Sequence, residues 1–394
     1  MGRGLSVSAE QLPAVVPQVR ETLAFSTLVA PPEPPGGLRR AHPDAALDRA
    51  GEIVQWLSQP PRRDQAIVHP ICEHLQRCQH VYPLADQSDV DRANCESWAW
   101  QANVIWVTPD LRILDPAGRV LFEEPSASPD PLAVIPFPVD ARQRQGEAAM
   151  MLRNRMVEPV EGFLPVRGEH EITPVDPAEV ARRALALFLV ATRGESILSG
   201  QPIDALRMRK RCPLGYDAMS PQERVFFDDA PGSPTTAATH QANASAAAQS
   251  MIWRYEGLAT LQWALSMQFE LPWPDERADL TATTRLMIDL PDVEIVEQAR
   301  LRSTSELLDA AELHYQALQA IVAIQQGGQE PSQIANAQVL DPGIVCERLT
   351  ALAWICRLAP ATPNRVANPE SSDVVDPSRS NWDATVDWVE SGCA

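Results

Sequence analysis

The chain reads as an α+β protein: a small N-terminal α/β module with a β-hairpin, followed by a larger all-α domain. Three observations predict this. Asp115-Pro116-Ala117-Gly118 lies between the short apolar runs 112–114 and 119–122, with proline second and glycine fourth. That is the chemistry of a type I turn joining two strands. After Pro174 helix-start signatures recur. Asp176-Pro177-Ala178-Glu179 and Ser220-Pro221-Gln222-Glu223 each set a capping side chain, then proline, then glutamate at the capping-box position. Finally, Ile252, Trp253, Leu258, Leu261, Leu265 and Phe269 recur at three- and four-residue steps over 250–269. This is the period of a helix that buries much of its circumference.

Residues 1–63 are poorly patterned. Pro13 and Pro17 interrupt a helix over 9–20, and prolines and glycines over 31–37 make a loop. Leu47, Ala50, Ile53, Val54 and Leu57 predict a helix over 45–57, stopped by Pro60 and Pro61. Residues 64–165 form the α/β module. A short strand is expected at 65–69. A helix follows from Pro70 to His80, with Ile71, Leu75, Cys78 and Tyr82 on one face, and a second helix runs over 90–104 with Trp98 and Ala102. The hairpin comes next, then a proline-rich run whose 133–135 segment suits an edge strand. The domain boundary is placed at 160–175.

Residues 175–394 read as helical. Helices are expected over 177–193, after Ser220, over 250–269 up to Leu271-Pro272-Trp273-Pro274, over 281–290, over 294–326, from Asp341-Pro342 to 359, and over 381–389. Residues 231–245 and 360–380 read as loops. Trp253, Leu261, Trp263, Leu265, Leu307 and Trp354 are the expected core.

Composition excludes several function classes. With a net charge of −19 the chain lacks the basic face of a nucleic-acid binder. No apolar run approaches the ~18 residues of a membrane span, and no signal-peptide core is present. Gly2 and Ser6 fit the myristoylation pattern, which is short enough to recur by chance. Lys210 is the one lysine, without a glycine-rich loop before it, so a P-loop and a lysine Schiff base are both disfavoured. Seven cysteines without a C-x-x-C pair read as reduced thiols of a cytoplasmic protein.

Several motifs of the helical half resemble one bacterial family. They are Glu179–Leu187, Ser220–Phe227, W-R-Y-E-G-L-x-x-L-x-W-A-L at 253–265, Leu271–Pro274, L-R-S-x-S-E-L-L-D-A-x-E-L-x-Y at 301–315, and V-x-E-R at 345–348 with Trp354. In this order they resemble domain of unknown function 4272, and Asn103 with the 112–122 hairpin is similar to its upstream region. The resemblance implies a fold and no activity. It also marks departures. The family's E-R-H-Y-A-L-N-W reads Glu347-Arg348-Leu349-Thr350-Ala351-Leu352-Ala353-Trp354 here, without the histidine and asparagine. At Trp382–Trp388 the family's threonine and second aspartate are missing. If those groups form a catalytic set in the family, this chain has lost it.

Four constellations carry chemistry. His69, Cys72, His74, Cys78 and His80 can ligate zinc, but their spacing fits no standard module, so no metal is expected. The second set is Arg254, Glu256, Arg300, Arg302, Glu306, Asp309, Glu312, Glu347, Arg348, Asp383 and Asp387. Glu306, Asp309, Glu347 and Asp383 are its candidate catalytic carboxylates. Arg254, Glu256, Arg302, Glu306, Glu347 and Arg348 are equally candidates for structural ion pairs. Arg302, Glu306 and Asp309 share one helix face. The abundance of arginine weighs toward structure. Ser303, Thr304 and Ser305 lie roughly 16 Å along a helix from His314, too far for a triad. Arg207–Arg211 reads as a solvated helix end. No cofactor is expected. The favoured function is a non-enzymatic binding or regulatory protein that presents its helical domain to a protein partner. The alternative is a hydrolase using the carboxylate cluster, with or without a metal.

Overall fold

The structure is a computed structural model and describes residues 16–36, 38–60, 62, 65–84, 89–124, 129–228, 237–326, 340–359 and 382–392. The expected loop at 360–380, the myristoylation pattern, Cys393 and most of the 9–20 segment lie outside these residues. The chain divides into two compact units, Met1–Pro138 and Val139–Ala394. The division falls before the 160–175 boundary expected from sequence. The helix that opens the second unit, 139–154, packs on the helix over 304–325 of the same unit.

In the first unit, β1 (Thr22–Ser26) is followed by α1 (Pro43–Leu57), α2 (Val68–Gln76), β2 (His80–Leu84), α3 (Asp89–Asn94), α4 (Glu96–Gln101), β3 (Val104–Val107), β4 (Ile113–Leu114) and β5 (Val120–Phe122). The strands form one antiparallel sheet in the order β2-β1-β3-β4-β5. Side chains alternate between its faces. Leu23, Phe25, Ile105 and Val107 meet Ile53, Trp56, Ile71 and Leu75 of α1 and α2 on one side. Ala24, Tyr82, Trp106 and Leu114 meet Trp98 and Ala99 of α4 on the other. Both faces are covered, so Val104–Val107 is an unbroken apolar run without the alternation that marks a half-buried strand. Pro83 sits on the edge strand β2, where a missing donor is tolerated.

Three expectations are corrected here. The 65–69 strand is the entrance to α2, and His80 opens a strand rather than ending a helix. The 90–104 helix is two short helices and a strand, separated at Asn103 with φ +52°. Residues 133–135 form no strand. The hairpin stands. Gly118 N donates to Asp115 O at 2.9 Å, Gly118 has φ +84°, and the Asp115 carboxylate accepts from Arg119 N and Val134 N.

The second unit holds α5 (Val139–Asn154), α6 (Pro177–Leu198), α7 (Ala205–Arg211), α8 (Pro213–Asp217), α9 (Pro221–Asp228), α10 (Ala237–Ile252), α11 (Arg254–Ala264), α12 (Leu280–Ile288), α13 (Asp292–Glu297), α14 (Thr304–Gln325), α15 (Pro342–Cys356) and α16 (Trp382–Glu390). Every residue of α11 from Tyr255 to Ala264 is buried. It packs between α6 and α15, while α14 packs on α15 and α5. The organising helix is shorter than its periodicity suggests. A break at Trp253 separates it from α10, and the chain turns at Ser266 with φ +59°. Phe269 therefore leaves the buried stripe and is 88% exposed. The expected loop at 231–245 is helical from Ala237 onward. The 294–326 helix is broken at 298–303, where Ser303 and Glu306 form a capping box that restarts it.

Candidate functional site

The charged set resolves into several pairings that hold helices and loops together. Glu256 of α11 and Arg348 of α15 are both buried, 92 residues apart. Arg348 donates from Nε and Nη2 to Glu256 Oε2 at 3.0 and 2.8 Å. Its Nη1 donates to Pro272 O and Trp273 O at 2.5 and 3.2 Å, and Nη2 also donates to Glu276 O at 2.6 Å. The five N–H groups of a guanidinium are thus all used. Glu256 Oε1 accepts from Ala278 N at 3.0 Å. The pair fastens the Leu271–Ala278 loop to the core.

A second group lies around Arg254. Its Nη1 donates to Glu347 Oε1 at 2.5 Å, and its Nε lies 4.0 Å from Glu223 Oε1. Glu223 also takes Nη2 of Arg183, whose Nη1 donates to Ala218 O at 3.0 Å and whose guanidinium lies over Trp382 at 4.1 Å. Glu223 Oε2 accepts from Ser220 N, closing the capping box that starts α9. This group is less complete than the Arg348 pair. Arg254 Nε and Glu347 Oε2 are buried without a hydrogen-bond partner among the described residues. Burial pushes the Glu347 carboxyl up from its ordinary value. Arg254 pulls it back, and the carboxylates of Glu223 and Glu390 add to the upward push. Burial also works against the Arg254 charge, but the bond and attraction to Glu347 prevail and hold it above its ordinary value.

Glu306 and Asp309 make their own pairings. Glu306 caps α14, accepting from Ser303 N and Oγ and pairing with Arg302 at 3.0 Å. The Ser303 bonds, with Arg302, draw its carboxyl below the ordinary range. Asp309 is 56% exposed and takes Nε of the buried Arg144 at 2.8 Å. Asp383 is half-buried in the first turn of α16. Glu312, in the core, accepts from Val166 N at 2.7 Å and from Gln316 Nε2 at 2.7 Å. Arg302 clips a loop, donating to Trp263 O, Gln268 O and Phe269 O at 2.8, 3.0 and 2.9 Å.

The histidine and cysteine candidates are dispersed. His69 is exposed, while His74 donates Nε2–H to Phe25 O at 3.1 Å, and burial holds it down at about 4. Burial pushes the Cys72 and Cys78 thiols up to about 11 and about 12, and Cys78 Sγ donates to His80 O. Among the described residues no group of three His, Cys, Asp or Glu is placed to hold a metal ion. Ser303 is a helix cap, and His314 is buried with Nδ1–H on Ala310 O at 2.8 Å.

Sequence reasoning missed three of these residues. Arg183 and Arg144 fall inside helical patterns with nothing local to mark them. Glu223 was legible only as a capping box, because its partner lies 40 residues away. One open groove of about 370 Å³ runs between α5, residues 159–163 and α14. None of the four candidate catalytic carboxylates lines it. No helix among the described residues is long and apolar enough to cross a membrane.

The family model described as Domain of unknown function (DUF4272) matches residues 142–366. Neither the curated proteins nor the solved structures contain a match to the chain.

Proposed function

This chain belongs to the family described as Domain of unknown function (DUF4272), and we propose that it acts in the cytoplasm as a non-enzymatic binding or regulatory protein for a protein partner. On this reading the helical unit is a locked scaffold, and its family motifs are architecture. The observation that carries it is the Arg348 guanidinium, whose five donors are all consumed by Glu256 and by carbonyls of one loop. A side chain committed in this way has no donor left for a substrate. Breaking such a pair by removing one partner leaves an uncompensated buried charge.

The hydrolase reading has one observation in its favour. Glu347 keeps a buried oxygen without a hydrogen-bond partner among the described residues and a carboxyl raised by burial, both marks of a general acid. Thermal melts of Arg254→Ala and Glu347→Ala separate the two. The scaffold reading expects each to lower stability by about 3–5 kcal/mol, the range for breaking a buried pair. Parent-like melts for both would sink it and promote the carboxylate site.

A further inference from the structure

The helical unit carries a short run of positive charge that its own carboxylates leave alone. Arg207, Arg209, Lys210 and Arg211 crowd into α7, in a chain where 52 acidic residues outnumber 33 basic ones. Arg207, Lys210 and Arg211 are exposed, and among the described residues none of them pairs with a carboxylate. Acids of the flanking segments are turned to other groups. Asp204 accepts from Leu206 N at 3.1 Å, Asp292 from Leu214 N at 3.2 Å, and Asp228 from the Tyr216 hydroxyl at 2.8 Å. A helix dipole favours cations in the last turn, which accounts for residues 209–211. It does not account for Arg207, which lies before that turn and meets like charges three and four residues on, at Lys210 and Arg211.

Apolar side chains stand beside these charges. Met208 and Cys212 are buried, so the opposite face of α7 points outward. On that face the exposed Leu206 lies one turn before Lys210, as Arg207 does before Arg211. Ile203, also exposed, is held in place by its backbone. Its N donates to Ser196 Oγ at 3.2 Å, and its O accepts from Arg193 Nη1. Arg209 is fixed differently, with its guanidinium 4.1 Å from the centre of the Tyr216 ring. A surface held in this way loses little freedom when a partner covers it.

We propose that this face of α7 is the docking surface for an acidic, amphipathic segment of the protein partner. Its carboxylates meet Arg207, Lys210 and Arg211, and its apolar side chains cover Ile203 and Leu206. Charge complementarity selects the acid. The exposed aliphatics select a protein segment over a phosphate backbone, which has no apolar face to bury there. The size of the surface agrees. Seven helical residues span roughly 10 Å, close to the ~8 Å screening length at physiological salt. A short acidic segment ends within that span. A nucleic acid or an anionic bilayer extends past it, over a molecule with a net charge of −19. The inference rests on the binding reading above and names the chemistry of the partner.

The test is fluorescence anisotropy of a labelled amphipathic peptide of glutamate and leucine, titrated with the full chain at physiological salt. Binding should saturate, and the same peptide with glutamine for glutamate should not bind. Combining Arg207→Glu, Lys210→Glu and Arg211→Glu, all at exposed positions, should weaken binding by about tenfold or more while the chain melts like the parent. Leu206→Ser should weaken it severalfold. Should the triple variant melt early, Arg207→Gln with Arg211→Gln takes its place. Carbodiimide, which condenses a carboxylate with an amine, should join the peptide to Lys210, the chain's one lysine. A peptide that does not bind overturns the proposal. So does a charge variant or Leu206→Ser that binds like the parent, or coupling that spares Lys210. So does a single-stranded oligonucleotide, or a phosphatidylserine vesicle, that binds through these residues as tightly as the peptide. Any of these results, with Arg254→Ala and Glu347→Ala still melting early, strikes the α7 surface and leaves the scaffold reading standing.

Discussion

Arg348 and Arg302 do similar work at two loops. Each spreads the planar fan of donors of a guanidinium over backbone carbonyls of a loop or a helix end, and each keeps one carboxylate, Glu256 or Glu306, as its counter-charge. A lysine has three donors on one nitrogen and cannot reproduce that fan. Arg348→Ala should destabilise the helical unit by about 3–5 kcal/mol, since Glu256 would be left charged and buried. Chemical denaturation measures this, and Arg348→Lys should recover only part of the loss. His314 makes a pH prediction. Burial holds it down at about 4 against an ordinary 6.5, so the folded chain resists a proton that the unfolded chain accepts. The neutral-ring stability is whole above pH 6.5 and is lost as pH falls toward 4, by roughly 3 kcal/mol over that window. His314→Leu should flatten the stability slope of the helical unit across that window. A slope identical to the parent's would exclude His314 as its source.

At the scale of elements, helix starts are chemically local, and this made them legible. Asp176, Ser303 and Asp341 accept from the first-turn amides of α6, α14 and α15, and Ser220 with Glu223 starts α9. Helix ends and packing depend on neighbours. The end of α11 is set by Arg302 from another segment, and α5 is charged enough that its buried stripe of Ala141, Arg144, Ala148 and Leu152 is hard to see in sequence. Two glycines separate these influences. Gly215 lets α8 approach α6 so closely that a Cβ would lie 2.9 Å from the Leu185 carbonyl. Gly215→Ala should destabilise by about 1–3 kcal/mol through overpacking. Gly146, with open space around it, should gain up to about 1 kcal/mol as alanine from helix propensity alone. Equal melting of the two variants would refute the close approach.

For the molecule as a whole, each unit has its own core, with Trp56, Phe25 and Ile71 in the first and Leu187, Leu258, Leu307 and Leu349 in the second. Residues 139–394 expressed alone should therefore fold cooperatively. A fragment starting at 175 should not match it, because it lacks Ala148, Leu152 and the Arg144–Asp309 pair. Circular dichroism melts compare them, and equal stability of both fragments would favour a boundary near 175 over one at 138.

Turns, caps and helical periods could be read before any fold was known. They are contests between a side chain and backbone groups a few residues away, and neighbours in sequence settle them. The α+β class, the hairpin and the helical half followed from such contests. The three-layer arrangement of the first unit did not. A sheet covered on both faces loses the alternation that marks a strand, so β1, β2 and β3 look like any other apolar run. Nor did the pairing of charges. Arg254, Glu256, Glu347 and Arg348 stood out as candidates for ion pairs, but which carboxylate met which arginine depended on how α11 and α15 lie against each other, across 92 and 93 residues of chain. Burial makes a charge need a partner, and packing alone selects it.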